Sequence, residues 1–352
     1  MNTPEAPVPR TARALPKVLL HEHLDGGLRV ATLLDLLQQR GLASPAPDET
    51  SLAAWFNANA HAGSLVKYLE GFALTVAAMA TPAGLERVAF EAAEDARLDG
   101  AVLAEFRIAP LLFEAHGISG EAAIEAMLTG LRRSPLPTGL IVCGMRHEPP
   151  GETERAARLA VAYQGQGVVA YDLAGAEFGF PPSQHTAALT LARNAGLGLT
   201  LHAGEADAAE RVLEAGRLGA TRIGHGVRLV DALNDPAQRH LVDEVLALGL
   251  HLEVCPTSNV HTGAAASIAT HPITALWRAG VSLSYNTDNR LMSCISLADE
   301  AAALLAHTPL TAADLLAMAG QAARHSFLPE AARQQALAAI QQAAAAPVKG
   351  LT

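Results

Sequence analysis

Short apolar runs alternate along this chain with longer amphipathic segments that are rich in alanine. Each run is followed by turn-forming residues, a pattern typical of buried parallel strands. We therefore predict eight strands, at residues 17–23, 101–108, 139–145, 167–175, 198–205, 221–226, 250–256 and 281–288. Helical patterns separate them, at residues 84–98, 120–133, 152–163, 185–195, 207–216, 238–248 and 271–279.

Eight strands with helical crossovers predict an α/β fold, a (β/α)8 TIM barrel, with extra helices between strands 1 and 2 and at the C-terminus. A doubly wound open sheet is the alternative. It is less favoured because polar residues sit at the carboxyl ends of nearly all the strands, which a barrel brings to one mouth. We expect a single domain over residues 1–352, with loosely ordered tails at 1–16 and 347–352.

Four of these polar residues could bind a metal ion. His21 and His23 alternate at the end of the first predicted strand and should point to one face. His202 ends the fifth strand and Asp288 ends the eighth, which neighbours the first in a closed barrel. Any one of these histidines alone is better explained as a surface or core residue. Three imidazoles and a carboxylate together favour zinc or a similar divalent ion.

Three further residues are candidates for the chemistry or for substrate contacts. Glu205 follows His202 by three residues and could lie over the open coordination position, where it could act as a general acid. The alternative is an ordinary glutamate at a helix start. His225 lies between glycines and could orient a water molecule, or be a core histidine. Gly175 could offer its backbone N–H to a substrate, or simply form a turn.

Composition narrows the classes of protein. The net charge is −10 and no lysine- or arginine-rich run occurs, so we expect no nucleic-acid partner. No segment is typical of a membrane span or a secretory signal, so we expect a soluble, cytoplasmic protein that contacts no membrane. The three cysteines are too few and too scattered for a disulfide framework. Phosphate-loop, dinucleotide and other common catalytic motifs are absent from the sequence.

A set of motifs carries a resemblance to a known family. In chain order they are LLHEHLDGG, DLAGAE, LHAGE, IGHG, LEVCPTSN and NTDN. Together they resemble the adenosine deaminase family of metal-dependent amidohydrolases over residues 15–330, and are most similar to a bacterial subgroup. The resemblance implies a (β/α)8 barrel with one Zn²⁺ per chain and no organic cofactor. The implied zinc ligands are His21, His23, His202 and Asp288.

The resemblance also implies a reaction and a substrate. Glu205 would protonate purine N1, His225 would position hydroxide, and Asp288 would help to move a proton. Adenosine, and deoxyadenosine with it, would then give inosine and ammonia. The implied substrate-binding residues are His23, Asp25 at the ribose, Gly175 at a ring nitrogen, and Asn289; Tyr68 and Phe72 are candidates for an apolar cap over the ribose. The acidic chain shows no basic clamp for phosphate, which favours a nucleoside over a nucleotide.

Asn289 departs from the family pattern, in which an aspartate is more usual. An asparagine amide donates a hydrogen bond at any pH, so we expect it to keep a contact with purine N7. The departure leaves adenine or aminodeoxyfutalosine open as alternative substrates.

Two rival classes of protein fit the sequence less well. A binuclear amidohydrolase would need a lysine at the end of the fourth strand, and Lys17, Lys67 and Lys349 do not lie there. A binding protein that has lost turnover is disfavoured because Glu205 and His225 are present. A monomer is weakly favoured over an oligomer.

Overall fold

Eight parallel strands form the centre of the fold. The computed structural model describes residues 10–61 and 65–345, with side chains from 12–61 and 71–345. The strands pair in sequence order from β1 to β8, so the predicted (β/α)8 barrel is confirmed. They are β1 Lys17–Leu19, β2 Ala101–Ile108, β3 Thr138–Met145, β4 Val168–Ala174, β5 Gly198–Ala203, β6 Arg222–His225, β7 His251–Val254 and β8 Ser282–Tyr285.

The barrel closes just beyond the ends of its first and last strands. Glu22 and Asp288 form an isolated parallel bridge. The His23 N–H donates to the Asp288 carbonyl at 2.7 Å, and the Asp288 N–H donates to the His21 carbonyl at 3.0 Å. The first and last strands of the barrel therefore meet at predicted site residues.

Helices surround the strands. They are α1 Arg10–Ala14, α2 Val30–Arg40, α3 Glu49–Ala60, α4 Leu65–Met79, α5 Pro82–Leu98, α6 Gly120–Arg132, α7 Pro150–Ala162, α8 Thr186–Asn194, α9 Glu210–Arg217, α10 Leu229–Asn234, α11 Arg239–Leu248, α12 Pro256–His261, α13 Ile273–Arg278, α14 Arg290–Ser293, α15 Leu297–His307, α16 Ala312–His325 and α17 Glu330–Ala345. The predicted extra helices are α2 to α5, between the first two strands, and those that follow β8.

Local sequence explains where several helices begin. The Thr81 side chain accepts a hydrogen bond from the Gly84 N–H, and Pro82 occupies the first helical position of α5. Ser296 and Asp299 form a reciprocal capping box at the start of α15. These caps satisfy N–H groups that have no partner within the helix.

Two expectations about the chain ends and strand 1 need correction. The segment 10–16, expected to be a loose tail, contains α1, and Ala12 is fully buried there. Small apolar side chains in a one-turn helix can pack against the core even when prolines surround them. The first strand ends at Leu19 rather than 23. Residues 1–9 and 346–352 lie outside the described residues. Among the described helices, none has the length and apolar character that a membrane span requires.

Candidate functional site

Three imidazoles and one carboxylate converge at the carboxyl ends of the strands. His21 and His23 follow β1, with ring centroids 5.4 Å apart. His202, in β5, places its Nε2 atom 3.2 Å from the His23 Nε2. Asp288 Oδ1 lies 3.3 Å from His21 Nε2 and 3.5 Å from His23 Nε2. The four predicted metal ligands therefore come together, with one donor atom from each inside a 4.8 Å cluster.

The spacing of these donor atoms fits a divalent metal ion. Zn–N bonds of about 2.0–2.1 Å in a tetrahedral site separate neighbouring donor atoms by about 3.3 Å, close to the separations given above. The His21 Nε2 atom is buried and has no hydrogen-bond partner in the described part of the chain. Because a buried polar atom without a partner is costly, this nitrogen is a natural ligand position.

The protonation states also suit metal binding. Burial lowers the pKa of His23 well below its ordinary value, which keeps the imidazole neutral. Burial opposes ionisation of Asp288, but the imidazole of His21 and its neighbours hold the pKa of this carboxyl well below its usual value. A neutral imidazole at His23 and an ionised carboxylate at Asp288 are the forms that bind metal ions.

Two buried carboxylates orient the histidines from behind. The His202 Nδ1 atom lies 3.0 Å from Asp172 Oδ2, and the His21 Nδ1 atom lies 3.0 Å from Glu253 Oε2. An Nδ1–H donated to a carboxylate leaves the Nε2 lone pair free for a metal ion. Both imidazoles are therefore held in the tautomer that a metal site requires.

A buried ionic network continues below these carboxylates. Arg107 donates to Asp172 at 2.7 Å and to Glu253 at 2.5 Å. Arg222 donates to Glu253 at 2.6 Å and to Glu105 at 2.7 Å. Three buried carboxylates in this network share two guanidinium groups, and Asp288 adds a further carboxylate beside the histidines. Burial of excess negative charge is unfavourable, which favours a bound cation at the site.

Glu205 and His225 lie side by side over the cluster. The His225 Nε2 atom is 3.5 Å from Glu205 Oε2, and the His225 ring centroid is 4.9 Å from that of His21. Thr262 donates its hydroxyl to Glu205 at 2.8 Å. The Asn259 amide lies 3.3 Å from Glu205 Oε1 and 3.1 Å from His225 Nδ1. Donation from this amide to Nδ1 leaves the His225 proton on Nε2, the atom that faces Glu205.

The backbone is strained at two site residues. Among the described residues, the only ones other than glycine with positive φ are His225 at 63°, Asp288 at 59° and Cys294 at 51°. Such conformations cost about 1–3 kcal/mol each and cluster at functional sites. Ser258 donates to Asp288 Oδ2 at 2.6 Å, which fixes the carboxylate.

The predicted substrate residues line the same mouth. Asp25 is buried in a turn after β1, its Oδ1 atom has no partner within the described chain, and burial raises its pKa to about 7. Gly175 has φ 91°, and a Cβ there would lie 2.7 Å from a His147 nitrogen. The Asn289 amide lies directly over Gly26, where a Cβ would come 2.0 Å from its oxygen. At both glycines a neighbouring side chain therefore fills the space that a Cβ would need.

The aromatic candidates give a mixed outcome. Phe72 is half-buried and packs against the core. The side chain of Tyr68 lies outside the described residues.

Sequence reasoning missed the residues that act behind the ligands. Asp172, Glu253 and the two arginines were hidden inside apolar strands, although a charged residue in a buried strand is itself a signal of a paired group. Ser258, Asn259 and Thr262 follow β7, within or just beyond a recognised motif to which no role was given.

A barrel that gathers three imidazoles and two carboxylates at its mouth defines a metal-dependent hydrolase of the amidohydrolase type. The sequence matches the family described as Adenosine deaminase over residues 16–343. An adenosine deaminase of Mycobacterium tuberculosis is 42% identical over 340 residues, which cover 92% of this chain and 93% of that protein. The chain therefore belongs to the adenosine deaminase family, and it is an enzyme that hydrolyses C–N bonds.

Further similar proteins are another adenosine deaminase and two solved structures. An adenosine deaminase of Mycobacterium avium is 40% identical over 337 residues, covering 90% of this chain and 92% of that protein. An amidohydrolase structure from Burkholderia ambifaria with bound Zn superposes with a TM-score of 0.82 at 25% identity, covering 95% of this chain and 92% of that one. An adenine deaminase from Arthrobacter aurescens, at 24% identity, TM-score 0.86 and coverage of 95% and 100%, shares the fold.

Proposed function

We propose that this chain uses one Zn²⁺ ion to hydrolyse adenosine, and deoxyadenosine with it, to inosine and ammonia. The main support for this proposal is the geometry of the site. One donor atom from each of His21, His23, His202 and Asp288 lies within 4.8 Å of the others, beside Glu205 and His225. The relatives named adenosine deaminase, at 40–42% identity, point to the substrate.

The roles of the residues follow from their positions. When bound, the divalent ion would lower the pKa of water towards 7 and supply hydroxide at neutral pH. Glu205 protonates purine N1, which weakens the aromatic system and makes C6 electrophilic. His225 presents Nε2–H towards the incoming oxygen and orients it. Asp288 takes a proton from that oxygen and passes it to the amino group, which leaves as ammonia.

The substrate contacts suit a nucleoside. The unpartnered carboxyl oxygen of Asp25 is an acceptor for a ribose hydroxyl, and Gly175 offers a backbone N–H to a ring nitrogen. Two arginines lie close in sequence to these residues: Arg290 follows Asn289, and Arg29 follows the turn at Asp25. Both are already paired with carboxylates, which argues against a phosphate-binding role. Arg290 donates to Glu22 at 2.7 Å, and Arg29 donates to Asp95 at 2.6 Å.

Asn289 is proposed to donate its amide N–H to purine N7. It is 5% exposed and packs on Gly26, so its orientation is restricted. Because the amide donates at any pH, this contact needs no protonated carboxyl group.

A single metal ion is proposed because the fourth strand ends in Ala174 and no described lysine lies there. Lys17 instead lies at the start of β1, where its Nζ donates to the carbonyls of Leu15 and Asp99, both at 2.8 Å. Metal analysis should therefore find one tightly bound ion per chain.

We also propose one domain over residues 1–352, a cytoplasmic location and a monomer.

Ammonia release tests the proposed function directly. Purified enzyme loaded with Zn²⁺ is assayed on adenosine, deoxyadenosine, adenine, aminodeoxyfutalosine and AMP. We expect the highest kcat/KM with adenosine or deoxyadenosine. Glu205→Gln should lower kcat by about 10²–10⁴-fold, the usual contribution of a general acid. Glu210→Gln, an exposed change on the following helix, should have no effect. A preference for adenine, aminodeoxyfutalosine or AMP would contradict the proposed substrate.

A further inference from the structure

One buried carboxylate that the mechanism does not use binds four successive backbone N–H groups. Glu177, in the loop after β4, is 6% exposed. Its Oε1 accepts from the Gly204 N–H at 2.5 Å. Its Oε2 accepts from the N–H groups of the next three residues, 205 to 207, at 3.0, 2.8 and 3.2 Å. Successive N–H groups in a turn form a concave anion site, and here a side chain fills it.

This contact is not a helix cap. The helix that follows, α9, begins at Glu210, beyond the four bound N–H groups. The bound segment is instead the loop that links the metal ligand His202 to the start of α9. Glu205 lies at its centre.

The loop is held from its other side as well. The Arg228 N–H donates to the Gly204 carbonyl at 2.8 Å, and its Nε atom donates to the Glu205 carbonyl at 3.2 Å. The Glu205 carboxylate itself is 21% exposed, and its contacts are Thr262, Asn259 and His225. The side-chain contacts of Glu205 are therefore few, and the position of its Cα atom depends on the clamp around the loop.

We propose that Glu177 is a positioning residue for the proton donor: it fixes the Gly204–Asp207 backbone so that the Glu205 carboxyl group faces the substrate ring. Glu177 touches no reacting atom in this arrangement, and it acts only through Glu205. The inference rests on the proposed role of Glu205 as proton donor. A displacement of about 1 Å at a catalytic group can cost about 10²-fold in rate.

A double-mutant cycle in the zinc-loaded enzyme tests this. Glu177→Gln keeps the size of the side chain but turns one acceptor into an N–H donor that faces backbone donors. We expect kcat for adenosine to fall about 10–100-fold, while KM and bound zinc stay within twofold of wild type. In a Glu205→Gln background the same change should have little further effect, since residues that act as one unit are not additive. Glu210→Gln serves as the matched control.

The outcomes separate the two proposals. If Glu205→Gln retains wild-type kcat, the proposed proton donor is wrong. If Glu205→Gln is inactive while Glu177→Gln behaves like Glu210→Gln, the positioning role is wrong. Equal losses from Glu177→Gln in both backgrounds, or a loss of zinc, would indicate a general structural role and also overturn it. Should the Gln variant fail to fold, Glu177→Asp, which keeps the charge but is one methylene shorter, carries the same cycle and the same criteria.

Discussion

Replacing Asp172 with asparagine should weaken metal binding without removing any ligand. The carboxylate receives His202 Nδ1–H at 3.0 Å, the His202 backbone N–H at 3.3 Å and an Arg107 N–H at 2.7 Å. Burial opposes its ionisation, but His202 and Arg107 hold the pKa of Asp172 far below its ordinary value, so it is a full anion. An amide has the same shape, but whichever way it turns, one N–H faces another donor. In one orientation the His202 ring loses the acceptor that fixes its tautomer, and in the other it keeps an acceptor but loses the negative charge behind it.

The size of the effect can be estimated from this geometry. Loss of a carboxylate behind a ligating histidine typically costs about 10–100-fold in metal affinity or activity, which corresponds to about 1.4–2.7 kcal/mol. Arg107 keeps its contact with Glu253, so the guanidinium is not left alone and the barrel should still fold.

Competition with a chromophoric chelator would measure the zinc Kd of the wild type and of Asp172→Asn, alongside Tm of the metal-free proteins. Glu244→Gln, which removes an exposed pair with Arg217, is the control and should change neither value. A zinc Kd within twofold of wild type for Asp172→Asn, in a variant that folds, would refute the reasoning. The refutation would mean that the ligand atoms alone set the affinity.

Three more predictions follow from single contacts. Burial raises the pKa of Glu300 from 4.5 to about 8. Between these two pH values the folded protein holds a proton that the unfolded chain releases. The free energy of unfolding should therefore fall as pH rises from the lower value to the higher, by at most about 1.4 kcal/mol per pH unit. Glu300→Gln should show a larger gain in Tm over wild type at pH 8 than at pH 5, and an equal difference at both would contradict the shift. A Cβ at Gly224 would lie 2.9 Å from the His21 ring. Gly224→Ala should therefore reduce bound zinc and lower the free energy of unfolding by about 1–3 kcal/mol. Gly151→Ala is the control and should change neither, because a Cβ there would meet open space. Asn289→Ala should lower kcat/KM for adenosine more than twofold and should weaken inhibition by 7-deazaadenosine much less, because that compound lacks N7; a change within twofold for adenosine would remove the proposed contact.

The fold could be predicted because its signals are local. Each barrel strand is a short apolar run with turn chemistry after it, and the observed β2 spans the same residues as predicted, 101–108. The proposed metal ligands could be recognised because each stands at or just beyond a strand end. The strands could be predicted without knowledge of which distant residues touch each other, and the ligand set needed only the closure of the barrel between strands 1 and 8.

The partners of those residues could not be predicted because they depend on pairings across the barrel. Nothing near Glu253 in the sequence shows that it meets both His21 and Arg222. Similarly, Glu177 stands in a recognised motif, but only the folded loop brings it to four N–H groups. His185 is a further case: it begins a predicted helix, and only the fold shows that it is 1% exposed and hydrogen-bonded to Thr153 and to a backbone carbonyl.

The segment His21-Glu22-His23 links assembly of the site to closure of the barrel. Alternation sends the two imidazoles to the metal cluster and the residue between them to the other side. There Glu22 accepts a hydrogen bond from Thr287, the residue before Asp288, at 2.8 Å. It also accepts one from Arg290, the second residue after Asp288, at 2.7 Å. Asp288 has a left-handed backbone conformation that an isolated chain would seldom adopt, so these anchors on either side, together with the Glu22–Asp288 bridge, stabilise it. The contact that joins the last strand to the first is thus the same contact that brings the carboxylate to the histidines, and a chain whose barrel has not closed has no complete ligand set.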